Sequence, residues 1–379
     1  MIGRSRRAVL SGSPLYPLRE HVLPHRCWSA GPADASPDGG PLVKVLVTGG
    51  AGFIGSHIAE AYRDRGHQVT VLDDFSTGVP ANVPDGVQLV ELDICDPAAG
   101  KLIERERFDV INHHAGLISV PESFRIPVAY TTVNVVGTVN LLEAAVRSGV
   151  GQFIFVSTSV VYAEQERMPY REDDPTVPTS PYGVSKLAAE EFVNMYARQY
   201  PSLRTTILRY GNVFGPRQRV YGEGNLVAAC ATKLLSGDRP TIFGDGTHTR
   251  DYIYVGDIAE LNCRLLEQPV TGTFNVGTGI ERTVLEVYRE VARAVGTDRE
   301  PLFGPPRIEQ ARIVLSIERI QQALGWQPSV SFSEGIARTV AWFRTQITNA
   351  SPRDEASTEH TLRCSSGAGD TAGVGNLQR

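Results

Sequence analysis

An apolar run over residues 43–48 ends in the glycine turn Gly49–Gly50–Ala51–Gly52–Phe53–Ile54–Gly55, and helical spacing then runs through residues 54–65. This strand, turn and helix restrict the fold of the 379-residue chain more than any other feature. The first N–H groups of such a helix have no intrahelical partner and sit at the positive end of its dipole. Small residues in the turn let a pyrophosphate approach those donors. The turn contains G-x-G-x-x-G from Gly50 and G-x-x-G-x-x-G from Gly49. Residues 68–73 read as a second strand closing in Asp73, 18 positions after Gly55. A carboxylate there accepts hydrogen bonds from ribose hydroxyls and repels a 2′-phosphate. Asp74 follows where an arginine would suit NADP, so the pair favours NAD. Asp93 and Ile94, closing a third strand over 87–93, either flank the adenine or simply turn the chain at a strand end.

Strands and helices keep alternating beyond that point. Strands are expected at 110–112, 153–157 and 205–210, and helices closing at 102–107 and running over 128–148 and 181–200. Such alternation specifies an α/β fold with a parallel sheet covered on both faces, wound right-handed into a doubly wound Rossmann arrangement. From about residue 211 the pattern turns irregular and is punctuated by Gly and Pro, as expected of a smaller C-terminal substrate-binding lobe at the carboxyl ends of the strands. The expected organisation is a disordered extension over 1–41, or a start codon set too far upstream, then an NAD-binding domain over 42–210 to which later segments can return. A mainly substrate-binding lobe over 211–346 and a disordered tail over 347–379 follow. The basic-then-apolar stretch from Arg4 to Leu10 stops at Ser11–Gly12–Ser13–Pro14, too short for a signal peptide.

A net charge of −5 provides no electrostatic reason for a nucleic-acid partner. No uninterrupted apolar run approaches the roughly 18 residues of a membrane span. The five cysteines (27, 95, 230, 263 and 364) form no C-x-x-C pair, which argues against a zinc finger or a disulfide framework and for a reducing, cytoplasmic setting. His113 and His114 have no partner at metal-ligand spacing, so no metal site is expected. Asp257, beside Gly256, reads as a helix N-cap.

The chemistry concentrates in two places. The strand over 153–157 runs into Ser157–Thr158–Ser159, and the helix from 181 opens with Ser180–Pro181–Tyr182–Gly183–Val184–Ser185–Lys186. Tyr182 and Lys186 are four apart and share a helix face. A phenol is a poor base at its free pKa of about 10. An ammonium about 5 Å away, at an effective dielectric near 20, favours the phenolate by roughly 3 kcal/mol, or about two pKa units. Tyr182 is then a usable general base, with Thr158 placed to orient the same substrate hydroxyl. In the later lobe a nucleotide diphosphate needs cations, and Arg217, Arg250, Arg307 and Arg312 are candidates because guanidinium forks match phosphate oxygens.

TGGAGFIGSH, LDDFSTG, the HHAG stretch, NVVGT, PYGVSK, NVFGPRQ, GDGTHTRDYIYV, FNVGTG and LGWQP, spread over about residues 43–345, together resemble the extended short-chain dehydrogenases/reductases of the NAD-dependent sugar-nucleotide epimerase/dehydratase family. Within it the chain is most similar to UDP-glucose 4-epimerases. The resemblance implies that Gly49, Gly52, Phe53, Ile54 and Gly55 hold the pyrophosphate, that Asp73, Asp74, Ser76 and Gly78 hold the adenosine side, and that Asp93 and Ile94 lie at the adenine. It places His114, Ala115, Gly116 and Asn134 along the cofactor wall. Ser157, Tyr182, Lys186 and Tyr210 fall on the nicotinamide side, with Tyr182, Lys186 and Thr158 catalytic. On the substrate it implies Asn212, Asn225 and Leu226 at the nucleotide sugar, Phe243 on the uracil, and Arg250 and Arg307 at the diphosphate. It also implies a homodimer built on the helices at 128–148 and 181–200.

The residues after Thr158 bear on the reaction. Related dehydratases carry an Asp-Glu pair there and related decarboxylases a Glu two positions on. Here Ser159 and Val160 stand instead, and neither shuttles a proton as a carboxyl does. One base and one hydride acceptor remain, which suits 4-epimerisation of a UDP-sugar of the glucose/galactose type through a 4-keto intermediate. The alternatives are a UDP-glucuronate or UDP-N-acetylglucosamine 4-epimerase, a nucleotide 4-ketosugar reductase and, in a different class, a non-catalytic NAD-binding regulator. Gly211 departs from the family pattern where an aromatic usually precedes Asn212, and Ala163, Glu309, Gln310 and Val314 depart from it as well.

Overall fold

The structure, a computed structural model, describes residues 42–220, 225–306 and 310–349. The segments 1–41 and 350–379 lie outside the described residues. The first half alternates regularly: β1 (Lys44–Thr48), α1 (Phe53–Asp64), β2 (Gln68–Asp73), β3 (Gln88–Glu91), α2 (Pro97–Glu106), β4 (Val110–His113), α3 (Val120–Arg125), α4 (Pro127–Thr131), α5 (Thr138–Ser148), β5 (Gln152–Thr158), α6 (Pro181–Gln199) and β6 (Arg204–Tyr210). Then come β7 (Asn212–Phe214), α7 (Leu226–Leu235), β8 (Thr241–Phe243), β9 (Thr249–Tyr254), α8 (Val255–Glu267), β10 (Gly272–Val276), β11 (Glu281–Thr283), α9 (Val284–Val295), β12 (Leu302–Gly304), β13 (Arg312–Ile313), α10 (Glu318–Leu324) and α11 (Phe332–Asn349). The last helix continues through Asn349, so residues 347–349 of the expected tail are helical.

Seven strands form one sheet in the order β10-β6-β5-β4-β1-β2-β3, every pair parallel. Alternating side chains leave the sheet on opposite faces. Val45 and Val47 pack with Ile58 and Tyr62 of α1 and Ile258 and Leu261 of α8. Leu46 and Ile111 pack on the other face with Leu102 of α2, Leu141 of α5 and Val193 of α6. This is the expected doubly wound α/β arrangement. The chain returns to the sheet after residue 211, because β10 pairs with β6. A smaller lobe gathers β11, β9, β13 and β7, the parallel pair β8 and β12, and α7, α9 and α11 around Val227, Val287, Val291 and Ile336.

The strand order reverses between β1 and β4, and a doubly wound sheet opens its crevice at such a point. The loops after those two strands meet there. Gly49 has φ +67°, and a Cβ on it would lie 2.6 Å from the backbone nitrogen of Ala115. Only glycine satisfies both conditions.

Two expectations are corrected. The helix expected over 128–148 is not uniform: α4 and α5 are joined by a π-helical turn at 132–137. The Thr138 hydroxyl donates to the Asn134 carbonyl at 2.7 Å, and the Asn134 amide leaves the helix to bond Leu117 and Ser185. Asp257 is not an N-cap. Tyr254 holds that position, and the Asp257 carboxylate accepts from the Ser329 amide and hydroxyl, both at 2.9 Å, and from the Val330 amide at 3.3 Å. It thereby fastens the chain leading into α11 to the first turn of α8. Asp257→Ala is expected to lower stability by about 2 kcal/mol, because it removes a buried carboxylate that accepts three hydrogen bonds from the Ser329–Val330 segment. The check is a urea midpoint that falls with an unchanged slope, whereas loss of a simple exposed cap would cost well under that.

Candidate active site

The floor of the crevice is the glycine turn. The N-cap of α1 is Gly52, with no side-chain cap and no acidic residue in the first turn. Phe53, Ile54 and Gly55 thus begin the helix with outward-facing amide donors. A Cβ on Gly55 would lie 2.3 Å from the Gly49 carbonyl, which keeps helix and turn in close contact.

Asp73 ends β2 beneath this turn. Its Oδ2 accepts from the Ala51 amide and its Oδ1 from the Phe75 amide, both at 2.9 Å. A Cβ on Gly78 would lie 2.5 Å from that Oδ1. Burial raises its pKa, against the pull of the two amides. A carboxylate offers about four lone-pair sites, so two remain for a ribose. Asp74 accepts from the Ser76 amide at 2.9 Å and from its hydroxyl, closing a small exposed turn. Asp93 is exposed and accepts from the Cys95 amide, while Ile94 is buried against Gly137.

His114 and Ala115 follow β4 on the opposite wall. His114 Nε2 lies 3.4 Å from the Tyr210 hydroxyl, and its Nδ1 is buried without a hydrogen-bond partner. Burial, with the Lys186 charge acting in the same direction, takes the imidazole down to about 3 and holds it neutral. A neutral ring with one orphaned nitrogen, on a residue whose backbone packs against Gly49, suits the wall of a dinucleotide site. Gly116 packs against the Asn134 side chain. Asn134 itself is buried, and both ends of its amide are spent, on Leu117 and Ser185. It therefore shapes the wall from behind.

The reactive pair stands on α6, which begins cleanly because Ser180 caps the Gly183 amide at 3.1 Å and Pro181 takes the first helical position. Tyr182 and Lys186 are 9% and 6% exposed. The Tyr182 phenol shares a hydrogen bond with the Thr158 hydroxyl, and its ring meets Tyr130 edge-on. Lys186 Nζ sits over the Phe155 ring at 4.2 Å. The electrostatics differ from the expectation. Burial lifts Tyr182 to about 12, opposed by the Thr158 hydrogen bond, and the lysine is not among the groups that act on it. Burial takes Lys186 down to about 7, opposed by the charge of Glu190. Helical spacing places both side chains on one face, but burial sets the direction of both shifts. The Ser157 hydroxyl donates to Glu190, one turn beyond Lys186 on α6. Tyr210 accepts from Asn262 at 3.1 Å, and Asn262 belongs to a buried set with Asn112 and Tyr62.

On the lobe side, Asn212 pairs in register with Tyr252 and lies next to Gly211, where a Cβ would come 2.9 Å from the Asp251 carbonyl. That close backbone approach explains a glycine in place of an aromatic. Asn225 is the N-cap residue of α7, its buried Nδ2 without a partner, and Leu226 opens the helix against the lobe core. Phe243 is 41% exposed at the end of β8. Arg250 lies on β9 and donates to the Thr249 carbonyl at 2.7 Å. Arg307 and Glu309 lie outside the described residues. Two of the candidate cations are committed elsewhere: Arg217 pairs with Glu60 of α1 at 2.7 Å, and Arg312 forks onto Glu281 at 2.6 and 2.7 Å, which holds Glu281 near 2. Among the described residues, no group of three or more His, Cys, Asp or Glu is arranged to hold a metal ion.

Two residues were missed by sequence reasoning. Glu190 carries the same four-residue spacing beyond Lys186, a usable signal. Asp251, whose carboxylate accepts from Thr278, Gly279 and Leu315, carries no local signal because its partners are all distant in sequence.

Residues 45–277 match the NAD dependent epimerase/dehydratase family. A UDP-glucose 4-epimerase of Mycolicibacterium smegmatis is 41% identical over 313 residues, covering 80% of this chain and 99% of its own. Among solved structures, a UDP-glucose 4-epimerase of Thermotoga maritima with UDP-glucose superposes with a TM-score of 0.78 at 37% identity, covering 80% of this chain and 99% of that one. A UDP-glucose 4-epimerase of Thermus thermophilus, in complex with NAD, superposes with a TM-score of 0.75 at 42% identity, covering 79% of this chain and 99% of that one.

In the free fold Lys186 titrates near 7, against 10.5 for an ordinary lysine. Between those values the unfolded chain binds the extra proton, so stability rises with pH through that window. In nucleotide-free protein, the parent is expected to gain up to about 1 kcal/mol per pH unit relative to Lys186→Met between about pH 7.5 and 9. Parallel denaturation series for the two proteins check this; equal slopes would place the ammonium in water.

Proposed function

The chain belongs to the NAD-dependent epimerase/dehydratase family, and from that premise we propose that it inverts C4 of a UDP-sugar, of the UDP-glucose/UDP-galactose type, through a transient 4-keto sugar. The observation that carries the reading is the composition of the reactive cluster. Tyr182 and Thr158 share a hydrogen bond, Lys186 stands one turn behind, and among the described residues no carboxylate acts on Tyr182. Ser159 and Val160 occupy the turn where elimination or decarboxylation chemistry would need an acid. When bound, NAD supplies a reversible hydride acceptor and a positive ring charge that favours the phenolate. The chain's own residues do the rest. Tyr182 takes the proton from O4, keeps it in a site closed to water, and returns it after the sugar has turned over. Thr158 holds the same hydroxyl in line, and Lys186 holds the nicotinamide ribose. Gly49, Gly52 and the start of α1 receive the pyrophosphate, and Asp73 the adenosine ribose. Asn212, Leu226 and Asn225, whose buried Nδ2 has no partner, serve the nucleotide sugar, and Arg250 the substrate diphosphate. Phe243 covers the uracil.

In this reading residues 42–210, with the returning α8, β10 and α10, hold the cofactor, and most of 211–346 holds the substrate. The protein works as a homodimer. Support comes from Phe124, Ile126, Val128, Val136, Val184 and Phe192, all exposed apolar side chains on or beside the two helical stretches expected at the interface. No helix among the described residues is long and apolar enough to cross a membrane. Among the described residues, Cys95 and Cys230 are free thiols, which supports a cytoplasmic setting.

Purified protein is expected to carry NAD and to interconvert UDP-glucose and UDP-galactose without consuming it. Failure to invert any of UDP-glucose, UDP-N-acetylglucosamine and UDP-glucuronate would overturn the proposal, and stoichiometric NADH consumption on a 4-keto sugar would replace it with a reductase. Tyr182→Phe is expected to keep the cofactor, by absorbance, and to lose about 10²- to 10⁴-fold in kcat. Val128→Asp combined with Val136→Asp is expected to sediment as a monomer where the parent sediments as a dimer.

A further inference from the structure

Tyr182, Lys186 and Glu190 succeed one another every four residues, so three titratable groups run along one face of α6. Glu190 is the most deeply buried, at 1% exposure. Its Oε1 accepts from the Ser157 hydroxyl and from Arg209 Nε at 3.0 Å, and its Oε2 accepts from Arg209 Nη2 at 2.6 Å. Ser157 on β5, Arg209 on β6 and Asn275 on β10 are in register across three neighbouring strands. The remaining arm of Arg209, Nη1, donates to the Tyr162 hydroxyl at 2.9 Å and to the Glu172 carbonyl at 3.2 Å, and Tyr162 donates to Asn275 at 2.6 Å. Asn275 in turn donates to the Tyr170 carbonyl at 3.0 Å, and the set meets the reactive groups through Ser157 and along α6.

We propose that Glu190, clamped by Arg209 and Ser157, is a positioning residue for the reaction: it fixes α6 against the strand that ends in Thr158 and acts as the counter-ion that keeps Lys186 an ammonium beside Tyr182. The proposal rests on the reading of Tyr182 and Lys186 as the reactive pair. The mechanical half follows from chain order. Ser157 immediately precedes Thr158, and Glu190 lies two turns, about 12 Å, along the helix from Tyr182. The Ser157–Glu190 bond therefore sets how far α6 can slide along β5, and with it the contact of Tyr182 with Thr158. The electrostatic half follows from what surrounds Lys186. From β4 it faces His113 and His114, both held neutral by burial. From β5 it faces the Phe155 ring, and from its own helix Tyr182 and Glu190. Arg209 stands behind Glu190. On the side of the π turn, Asn134 is neutral, and Glu122 is spent on the Tyr130 hydroxyl at 3.1 Å. Glu190 is the anion that acts on the lysine among the described residues. Stability does not explain the pair, since a buried ion pair is commonly no better than the apolar residues that could replace it.

The test compares the parent holoenzyme with Glu190→Gln, Glu190→Asp and the double variant Glu190→Gln/Arg209→Met, which removes the arginine that would otherwise be left alone. The first readout is the NMR titration of the Lys186 Nζ, assigned by its absence in Lys186→Arg. The second is the pH profile of kcat. Glu190→Gln is expected to lower the pH at which Lys186 loses its proton by about one unit, to move the alkaline limb of kcat down with it, and to cost about tenfold at alkaline pH. KM is expected to change less than about threefold, since the substrate side is untouched. The double variant moves in the same direction by a smaller amount, and Glu190→Asp, which keeps the charge, keeps the parental limb. An unmoved Nζ titration in both charge-removing variants overturns the proposal, even if they are less stable. An inactive parent overturns the reading of the reaction instead, and the Nζ titration still decides the role of Glu190.

Discussion

The reversal of strand order between β1 and β4 is the constraint on which the other features depend. Strands on either side of it send their helices to opposite faces, so their carboxyl ends separate and leave a crevice that no helix covers. Gly49 and Ala115, from the two sides, then approach to backbone contact. α1 presents its uncapped N-terminus into the gap, and α6, two strands further on, presents Tyr182 and Lys186. A side chain at Gly49 would push the two loops apart and displace every one of these donors at once.

Burial governs the chemistry of that crevice. The same desolvation that raises Tyr182 to about 12 lowers Lys186 to about 7 and the neighbouring His114 to about 3. Each group is pushed towards its neutral form, as a low-dielectric pocket requires. An isolated Tyr–Lys pair in such a pocket has little reason to be ionic. What restores charge to it is structure supplied from outside the pair: the Thr158 hydroxyl on the phenol, and the Glu190–Arg209 couple behind the ammonium. The reactive site is thus a thin polar layer, held in place by a second polar layer beneath it.

The smaller lobe is joined to this arrangement by two buried carboxylates and a half-buried ion pair. Asp257 fastens the approach to α11, Asp251 gathers the chain at Thr278, Gly279 and Leu315, and Arg217 reaches back to Glu60 on α1. Asp251 and Asp257 each accept from N–H donors of segments distant in sequence. They organise the lobe in the way that a hydrophobic cluster organises the sheet, with direction added.

Much of the sheet was legible in the sequence because each strand–helix unit is local. Apolar runs, the glycine turn, Asp73 at the end of β2 and the Ser180–Pro181 start of α6 all carry their cause within a few residues. The shared face of Tyr182 and Lys186 was legible for the same reason, since helical spacing is a property of the segment itself. Their proton affinities were not, because desolvation is set by everything that packs around them. Nor was the partner of Arg217, Arg312 or Asp257 legible, because an ion pair is chosen by which segments the fold brings within a few ångströms. Sequence alone determined the elements, their order and the kind of groups available. Tertiary structure decided which of those groups meet and how much water they retain, because distance and dielectric exist only once the chain has closed on itself.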